Sequence, residues 1–394
     1  MAITGTTECD AGERTAGPIR LGMVGGGKDA FIGAVHRIAA RLDGEFRLVA
    51  GALSSTPERA LESGRALGLD EKRIYGSFRD MAAREARLKD GIEAVAIVTP
   101  NHMHYPAARE FLKRGIHVIC DKPLTSTLAD ARKLAALARE SDALFVLTHN
   151  YTGYPMIRQA RQMVVEGALG TIRVVQAEYP QDWLTEAAEE TGSKQASWRT
   201  DPARSGAGGS IGDIGTHAFN LLSFVTGLRT EELAADLHRF VAGRRVDDNA
   251  HVMLRFEGGA RGMLWSSQVA PGNENGLKLR VYGDKGGLEW SQEEPNRLWF
   301  TPFGEPKRLI TRNGAGANAA AARVSRIPSG HPEGYLEGFA NIYAEAARAI
   351  RARRAGEPLP ADVLYPTVED GVEGLKFIDA CVRSSARNGS FVTL

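Results

Sequence analysis

Lys122 stands between Asp121 and Pro123, directly after the apolar run Ile116-His117-Val118-Ile119-Cys120. Proline disfavours the helical region for the residue before it, so Lys122 is held in an extended turn. A lysine there can hydrogen-bond a hydroxyl or the oxygen of a forming ketone; a surface lysine paired with Asp121 is the plainer alternative. Asp213 and His217 lie four apart at the start of a helical stretch, Ile214 to Val225, preceded by Gly208 and Gly209 and interrupted by Gly212 and Gly215. With Asp213 near the N-cap, His217 would sit about one turn above it on the same face. The positive helix end keeps such a histidine neutral and able to accept a proton, while a carboxylate beside it favours the charged form as the proton arrives. That describes a general base, against the alternative of an N-cap aspartate next to a merely structural histidine. Between these two places runs Lys194-Gln195-Ala196-Ser197-Trp198-Arg199-Thr200-Asp201. A sugar can stack on Trp198, and Lys194 or Arg199 can hold a carboxylate or sulfonate; a solvated charged loop has the same composition.

Two other motifs carry less. Gly208-Gly209-Ser210-Ile211-Gly212 matches G-x-S-x-G, but a nucleophile elbow needs a strand before it and Arg204-Ser205-Gly206-Ala207 is not one. His102-x-His104 has two potential metal ligands and no apparent third, so no metal is expected.

The elements that must position these residues begin with Ile19 to Ser55. Ile19 to Val24 reads as a buried parallel strand, Gly25-Gly26-Gly27 as a tight turn, Phe31 to Leu42 as a helix with Phe31, Ile32, Val35, Ile38, Ala39 and Leu42 at helical spacing, and Phe46 to Ala50 as a second strand. A glycine turn between strand and helix lets backbone N–H groups approach a pyrophosphate at the helix's positive end. The fingerprint G-x-G-x-x-G fits as Gly25, Gly27 and Ala30, or as Gly25, Gly27 and Gly33 with a longer loop. At the end of the second strand, where an acidic residue would take the ribose of NAD, stand Ser54 and Ser55, with Arg59 following. NAD and NADP both remain open. Pro57 to Leu67 and Met81 to Leu88 read as helices around a short Ile74-Tyr75 strand. Ala94 to Val98 is a strand running into Thr99-Pro100-Asn101-His102-Met103-His104, and Leu144 to Leu147 a sixth strand ending at His149-Asn150-Tyr151. Ligands of open α/β sheets lie beyond the carboxyl ends of strands, where both the Thr99 and the Asp121 turns fall.

After Tyr151 the pattern changes. A helix at Met156 to Glu166, a strand at Thr171 to Tyr179 and a polar loop from Pro180 to Gly209 precede the Ile214 helix. Strands then follow without helices between them: Leu233 to Val241, His251 to Phe256, Arg261 to Val269, Leu277 to Tyr282, Gly287 to Ser291 and Arg297 to Thr301. A loop, Gly314 to Ser329, and two helices, Tyr335 to Arg354 and Thr367 to Arg387, close the chain. The fold class expected is α/β: a Rossmann dinucleotide-binding domain over 19–150, then an α+β domain over 151–394 with a large, mainly antiparallel open sheet, whose terminal helices can pack back on the first domain.

Composition narrows the classes. The 394 residues suffice for two domains, and 49 basic against 48 acidic side chains give no reason to expect nucleic acid or an anionic membrane as partner. Met1 to Pro18 lack an apolar segment and read as a mobile tail, and no stretch approaches the roughly 20 apolar residues of a membrane span. Cys9, Cys120 and Cys381 are far apart, which fits a reducing cytoplasm.

Gly25 to Gly33, Thr99-Pro100-Asn101 with His104, Asp121-Lys122-Pro123, and Gly209 to His217, in this order and spacing, closely resemble the Gfo/Idh/MocA family, named for glucose-fructose oxidoreductase and inositol dehydrogenase. The resemblance covers nearly everything from Ile19 onward. It implies NAD(P)-dependent oxidation or reduction of a secondary hydroxyl of a sugar or cyclitol, and a homodimer or homotetramer built through the second domain's sheet. It also implies that Lys122 contacts the reacting hydroxyl, Asp213 is the active-site aspartate and His217 is the catalytic histidine. The expected cofactor contacts are Gly25, Gly27, Lys28, Ala30, Phe31, Ile32, Ser54, Ser55, Arg59, Thr99, Pro100, Asn101, His104, Asp121 and Lys122. The expected substrate contacts are Lys122, Asn150, Tyr151, Lys194, Trp198, Arg199, Asp213 and His217. Three departures stand out: Asp121 in place of a glutamate, the longer glycine loop, and Asn220 where an aspartate is frequent. Because some relatives oxidise a hydroxyl only transiently, an NAD-dependent glycosidase acting on an acidic or sulfonated glycoside is the alternative activity. A nucleotide-binding regulator is the third, and it would not need Lys122, Asp213 and His217 together.

Overall fold

A computed structural model of the protein describes residues 17–28 and 30–394. The expected mobile tail lies outside the described residues except for Gly17 and Pro18. In chain order the first part contains β1 (Ile19–Gly25), α1 (Phe31–Leu42), β2 (Phe46–Ala52), α2 (Pro57–Ala66), α3 (Phe78–Glu85), β3 (Ala94–Val98), α4 (His104–Leu112), β4 (His117–Cys120), α5 (Leu128–Glu140) and β5 (Phe145–Leu147). These five strands form one parallel sheet of order β2-β1-β3-β4-β5. All five residues of β3 are buried, as a strand covered on both faces requires. The strand order reverses between β1 and β3, so the glycine turn after β1 and the Thr99 turn after β3 flank the crevice where such sheets bind ligands. The short strand expected at Ile74-Tyr75 does not form, so the sheet has five strands where six were expected. Ile74 makes only a single bridge to Gly51, because the chain turns at once into the Ser77-capped α3.

The second part runs α6 (Pro155–Val165), β6 (Ile172–Pro180), α7 (Lys194–Arg199), α8 (Pro202–Ser205), a π-helical turn (Ile211–Gly215), α9 (Thr216–Thr226), β7 (Thr230–His238), β8 (Asn249–Phe256), β9 (Arg261–Ser267), β10 (Lys278–Gly283), β11 (Gly286–Ser291), β12 (Arg297–Pro302), β13 (Arg308–Thr311), α10 (Ala319–Arg323), α11 (Tyr335–Ala355), α12 (Val368–Ser385) and β14 (Val392–Thr393). Its nine strands form one sheet, β13-β12-β11-β10-β6-β9-β8-β7-β14, antiparallel except where β6 meets β9. The polar loop expected from Pro180 to Gly209 is interrupted by α7 and α8, whose Ser193 and Asp201 side chains accept from the first-turn amides of Ala196 and Ala203. The expected loop from Gly314 to Ser329 carries α10, capped by Asn318.

Two cores hold these layers together. On one face of the parallel sheet, Ile19, Leu21, Met23, Ala94 and Ala96 pack with Phe339, Tyr343, Ala346 and Ile350, so α11 covers the first sheet beside α1. His36 of α1 hydrogen-bonds Tyr343 across this contact at 2.8 Å. The core on the other face is continuous with the apolar side of the nine-stranded sheet, through Val118, Leu147, Leu264 and Leu279 among others. Among the described residues, no helix is long and apolar enough to cross a membrane.

Candidate active site

The two sheets bring their chemistry-bearing ends to one cleft of about 1230 Å³. Gly25 and Gly26 adopt φ of +79° and +70°, the left-handed region that favours glycine. A Cβ on Gly33 would stand 2.3 Å from Gly26 Cα. The helix therefore packs against the turn at Gly33, and Gly33 is the third glycine of the fingerprint; Ala30 is the residue that precedes the helix. A Cβ on Gly27 would meet Leu53 O at 2.6 Å and Ser63 Oγ at 2.8 Å, so this turn is as narrow as the chain can make it. Beyond it lie the first N–H groups of α1, which no carbonyl of the helix can satisfy and which an anion can. Two buried polar atoms on the cleft wall, Thr99 Oγ1 and Asn150 Nδ2, have no hydrogen-bond partner among the described residues. A glycine cradle, the first-turn amides of a helix and unmatched polar atoms are what a dinucleotide with an amide-bearing ring would fill. The residues present thus fit the cofactor.

The cleft is lined by Gly25, Gly27, Lys28, Ala30, Phe31, Ile32, Ser54, Ser55, Arg59, Thr99, Pro100, Asn101, Asp121 and Lys122, and by Asn150, Tyr151, Lys194, Trp198, Arg199, Asp213 and His217. His104 is the exception among the expected contacts. It is fully buried, with Nδ1 2.8 Å from Pro123 O and Nε2 2.8 Å from Thr99 O. Both ring nitrogens face carbonyls, to one of which a neutral ring can donate, so His104 sits between the two strand-end turns and presents nothing to a cofactor.

Asp213 also departs from expectation. It lies in the π-helical turn, not at an N-cap, and among the described residues no hydrogen bond or ion pair joins it to His217. Lys122 donates to Asp213 O at 2.6 Å and to Oδ1 at 2.9 Å; Arg199 Nε and Gln268 Nε2 donate to Oδ2 at 3.1 and 3.0 Å. Burial pushes this carboxyl up, but Lys122 and Arg199 more than offset it and hold it well below the usual carboxylate range. Two of the three Lys122 N–H donors are engaged, which leaves the third for the cleft. The guanidinium of Arg199 also stacks over Trp198, 4.3 Å from the ring centroid. Arg199, expected to hold an anionic substituent, therefore also supports Asp213.

His217 places one nitrogen, Nδ1, 3.4 Å from His149 Nδ1; its Nε2 has no hydrogen-bond partner among the described residues. Burial, Lys122 and His149 all hold its imidazole well below the ordinary histidine value. Asp121 Oδ1 accepts from Thr148 Oγ1 at 3.1 Å and from the Lys122 amide at 3.0 Å, fixing the turn that carries Lys122.

Residues outside the sequence-derived set complete the cleft wall. Tyr151 Oη lies 2.5 Å from Tyr179 Oη, Tyr179 donates to Asn275 Oδ1 at 2.7 Å, and Asn275 donates to Gln292 at 2.7 Å. With Gln181 and Trp183 these line the same cleft as the glycine turn. No spacing in the sequence links Tyr179, Asn275 and Gln292, which come from β6 and from the ends of β10 and β11. Among the described residues, no group of three or more His, Cys, Asp or Glu side chains could hold a metal ion.

The buried histidines carry a pH dependence. His117 is held down to about 4 by burial and by Arg354 and Arg353, and His149 to about 3 by burial and Lys122. A histidine depressed in the folded state binds its proton only after unfolding. Its stabilisation is full above the ordinary value of roughly 6.5 and is lost as pH falls from there toward the depressed values. Urea midpoints should therefore drop between about pH 8 and about pH 5, where ordinary carboxylates are still ionised; equal midpoints would contradict this assignment.

Residues 19–149 match the oxidoreductase family with NAD-binding Rossmann fold, and residues 157–289 match the GFO/IDH/MocA C-terminal domain. The chain belongs to the Gfo/Idh/MocA family of oxidoreductases, and its first domain is an NAD-binding Rossmann fold. It is 67% identical to an oxidoreductase from Sinorhizobium meliloti of known structure, with a TM-score of 0.87, covering 96% of this chain and 100% of that one. An inositol dehydrogenase homologue from Azotobacter vinelandii, solved with NADH and myo-inositol, is 38% identical with a TM-score of 0.91, over 96% of this chain and 98% of its own. An uncharacterized oxidoreductase of Bacillus subtilis is 36% identical over 95% of this chain and 96% of its own.

Proposed function

We propose that the protein oxidises a secondary hydroxyl of a sugar or cyclitol with NAD. The observation that carries this reading is that Lys122, with one N–H uncommitted, and His217, with Nε2 uncommitted, line the same cleft as the glycine cradle. Gly25 to Gly27 and the first turn of α1 would hold the pyrophosphate, Ser54, Ser55 and Arg59 the adenosine end, and Thr99 to Asn101 the face beside the reacting ring. Bound NAD supplies a hydride acceptor. Lys122 donates to the hydroxyl oxygen and stabilises the charge that develops on it. His217 Nε2 accepts the hydroxyl proton. Asp213 holds Lys122 in place, and the Tyr151, Tyr179, Asn275 and Gln292 network offers donors and acceptors to the remaining hydroxyls. The relative that binds myo-inositol supports a polyol of this size.

A panel of sugars, cyclitols and sugar acids with NAD and NADP, read at the reduced-nicotinamide absorbance, tests this. Net reduction with a polyol supports the reading. NAD-dependent cleavage of an aryl glycoside without accumulating NADH would replace it with the glycosidase alternative, and tight nucleotide binding without turnover would replace it with the regulator. The buried unpaired Cys120 and Cys381 fit the cytoplasm as its compartment.

We also infer a homo-oligomer through the open sheet face. Cross-strand neighbours Met253, Met263, Gln176, Arg280, Glu289, Trp299 and Leu309 form one row across β8, β9, β6, β10, β11, β12 and β13. Met253 is 56% and Met263 52% exposed, with Trp299 and Leu309 exposed at the far end. An apolar and polar row this long on one open face suits a second copy of itself. Light scattering should show a dimer or larger, reduced by Met253→Lys with Met263→Lys; a monomer at all concentrations would refute it.

A further inference from the structure

The expected carboxylate partner of His217 is elsewhere. Asp213 spends both oxygens on Lys122, Arg199 and Gln268. What faces the back of the His217 ring is a second histidine, His149, just after β5. It is 2% exposed and absent from the cleft wall, with its ring 5.3 Å from that of His217 at 84°. Tyr151 closes the remaining side, its centroid 4.9 Å away, and Tyr179 lies 6.3 Å away.

We propose that His149 is the positioning residue that sets the proton state of His217 by accepting its Nδ1 hydrogen. This rests on the reading that His217 exchanges a proton with the substrate hydroxyl. The chemistry is restrictive. Two Nδ1 atoms 3.4 Å apart can share one hydrogen and not two. If His217 holds it, Nε2 of His217 turns a lone pair toward the cleft and acts as a base for alcohol oxidation. If His149 holds it, His217 presents Nε2–H and acts as an acid for ketone reduction. Once His217 has taken the hydroxyl proton it carries hydrogens on both nitrogens, so His149 must keep Nδ1 bare and its own hydrogen on Nε2. The proton that leaves the substrate oxygen is then the one added at His217 Nε2, and the shared hydrogen stays between the rings. A neutral acceptor differs from a carboxylate in one measurable respect: it orients the base without drawing a proton onto it before substrate arrives. The charged groups around His217 are Lys122 from the turn after β4 and Asp213 from the π-helical turn; the titratable neighbours are His149, Tyr151 and Tyr179.

Three substitutions test this. His149→Phe keeps a ring of similar shape and removes the acceptor, and kcat for NAD reduction should fall about 10- to 100-fold with KM little changed, part of the general-base contribution. His149→Asn restores an acceptor oxygen and should recover kcat to within about five-fold of the wild type. His149→Asp should move the acid limb of the kcat/KM profile to higher pH, by about a unit or more, because a carboxylate favours imidazolium. Nitrogen NMR of the labelled protein without substrate reads the tautomer directly: His217 should carry its hydrogen on Nδ1 in the wild type and lose that preference in His149→Phe. Kinetics within two-fold of wild type for His149→Phe, or Asn no better than Phe with an unmoved acid limb for Asp, would overturn the proposal. The NMR result needs no turnover. A wrong tautomer with intact NAD reduction sinks only this pairing, whereas a correct tautomer with no oxidation of any polyol sinks the reaction assigned to the cleft.

Discussion

Lys122→Met is expected to lower kcat/KM for NAD reduction by roughly 10²- to 10³-fold, the range found when one donor to a developing oxyanion is removed. Lys122 lines the cleft with one N–H uncommitted while its other two hold Asp213. Methionine keeps much of the side chain's length and none of its donors. Truncating one partner of a buried ion pair costs about 3–5 kcal/mol when the other charge is left uncompensated. Here Arg199 and Gln268 still bind Asp213, so the loss of stability should fall short of that range. NAD binding, measured by fluorescence, should persist. Turnover within a few-fold of wild type would remove Lys122 from the mechanism.

His217→Gln is expected to cost roughly 10²- to 10⁴-fold in kcat, since glutamine can hydrogen-bond the hydroxyl but cannot take its proton. The pH profile adds a second readout. Burial, Lys122 and His149 hold His217 well below the ordinary histidine value. The wild-type kcat/KM should therefore stay level through neutral pH and decline only well below pH about 6.5, as Nε2 becomes protonated. In His217→Gln that acid limb should disappear. Because the lysine and the histidine act on the same hydroxyl, the double variant should lose much less than the product of the two single losses. Strict multiplication would mean that they do not act as one unit.

What the sequence made legible follows periods and turn chemistry. The βαβ unit with its glycines, the two strand-end turns at Thr99 and Asp121, and the run of alternating strands after Thr230 each rest on local pattern, and each forms. Lys122, Asp213 and His217 could be singled out because they sit beside a proline or among glycines. What could not be read is which side chain meets which across the fold. Four-residue spacing suggested that Asp213 supports His217. The π-helical turn and the approach of β4 instead give Asp213 to Lys122, and β5 gives His149 to His217. His104 looked like a ligand at a strand end, but its ring lies between two carbonyls that only the folded turns bring together. Tyr179, Asn275 and Gln292 had no motif at all. Short elements were also missed, such as β13 at Arg308–Thr311, which is too brief for a period to show.

In the function proposed above, the cleft moves hydride from a carbinol carbon to NAD while His217 takes the hydroxyl proton. The most direct test is to supply the best polyol of the panel with deuterium on the reacting carbon and to follow both the label and the rate. Deuterium is expected on the reduced nicotinamide ring, with slower turnover than the unlabelled compound gives. Reduced nicotinamide without the label, or bound NAD that no polyol reduces, would contradict that function.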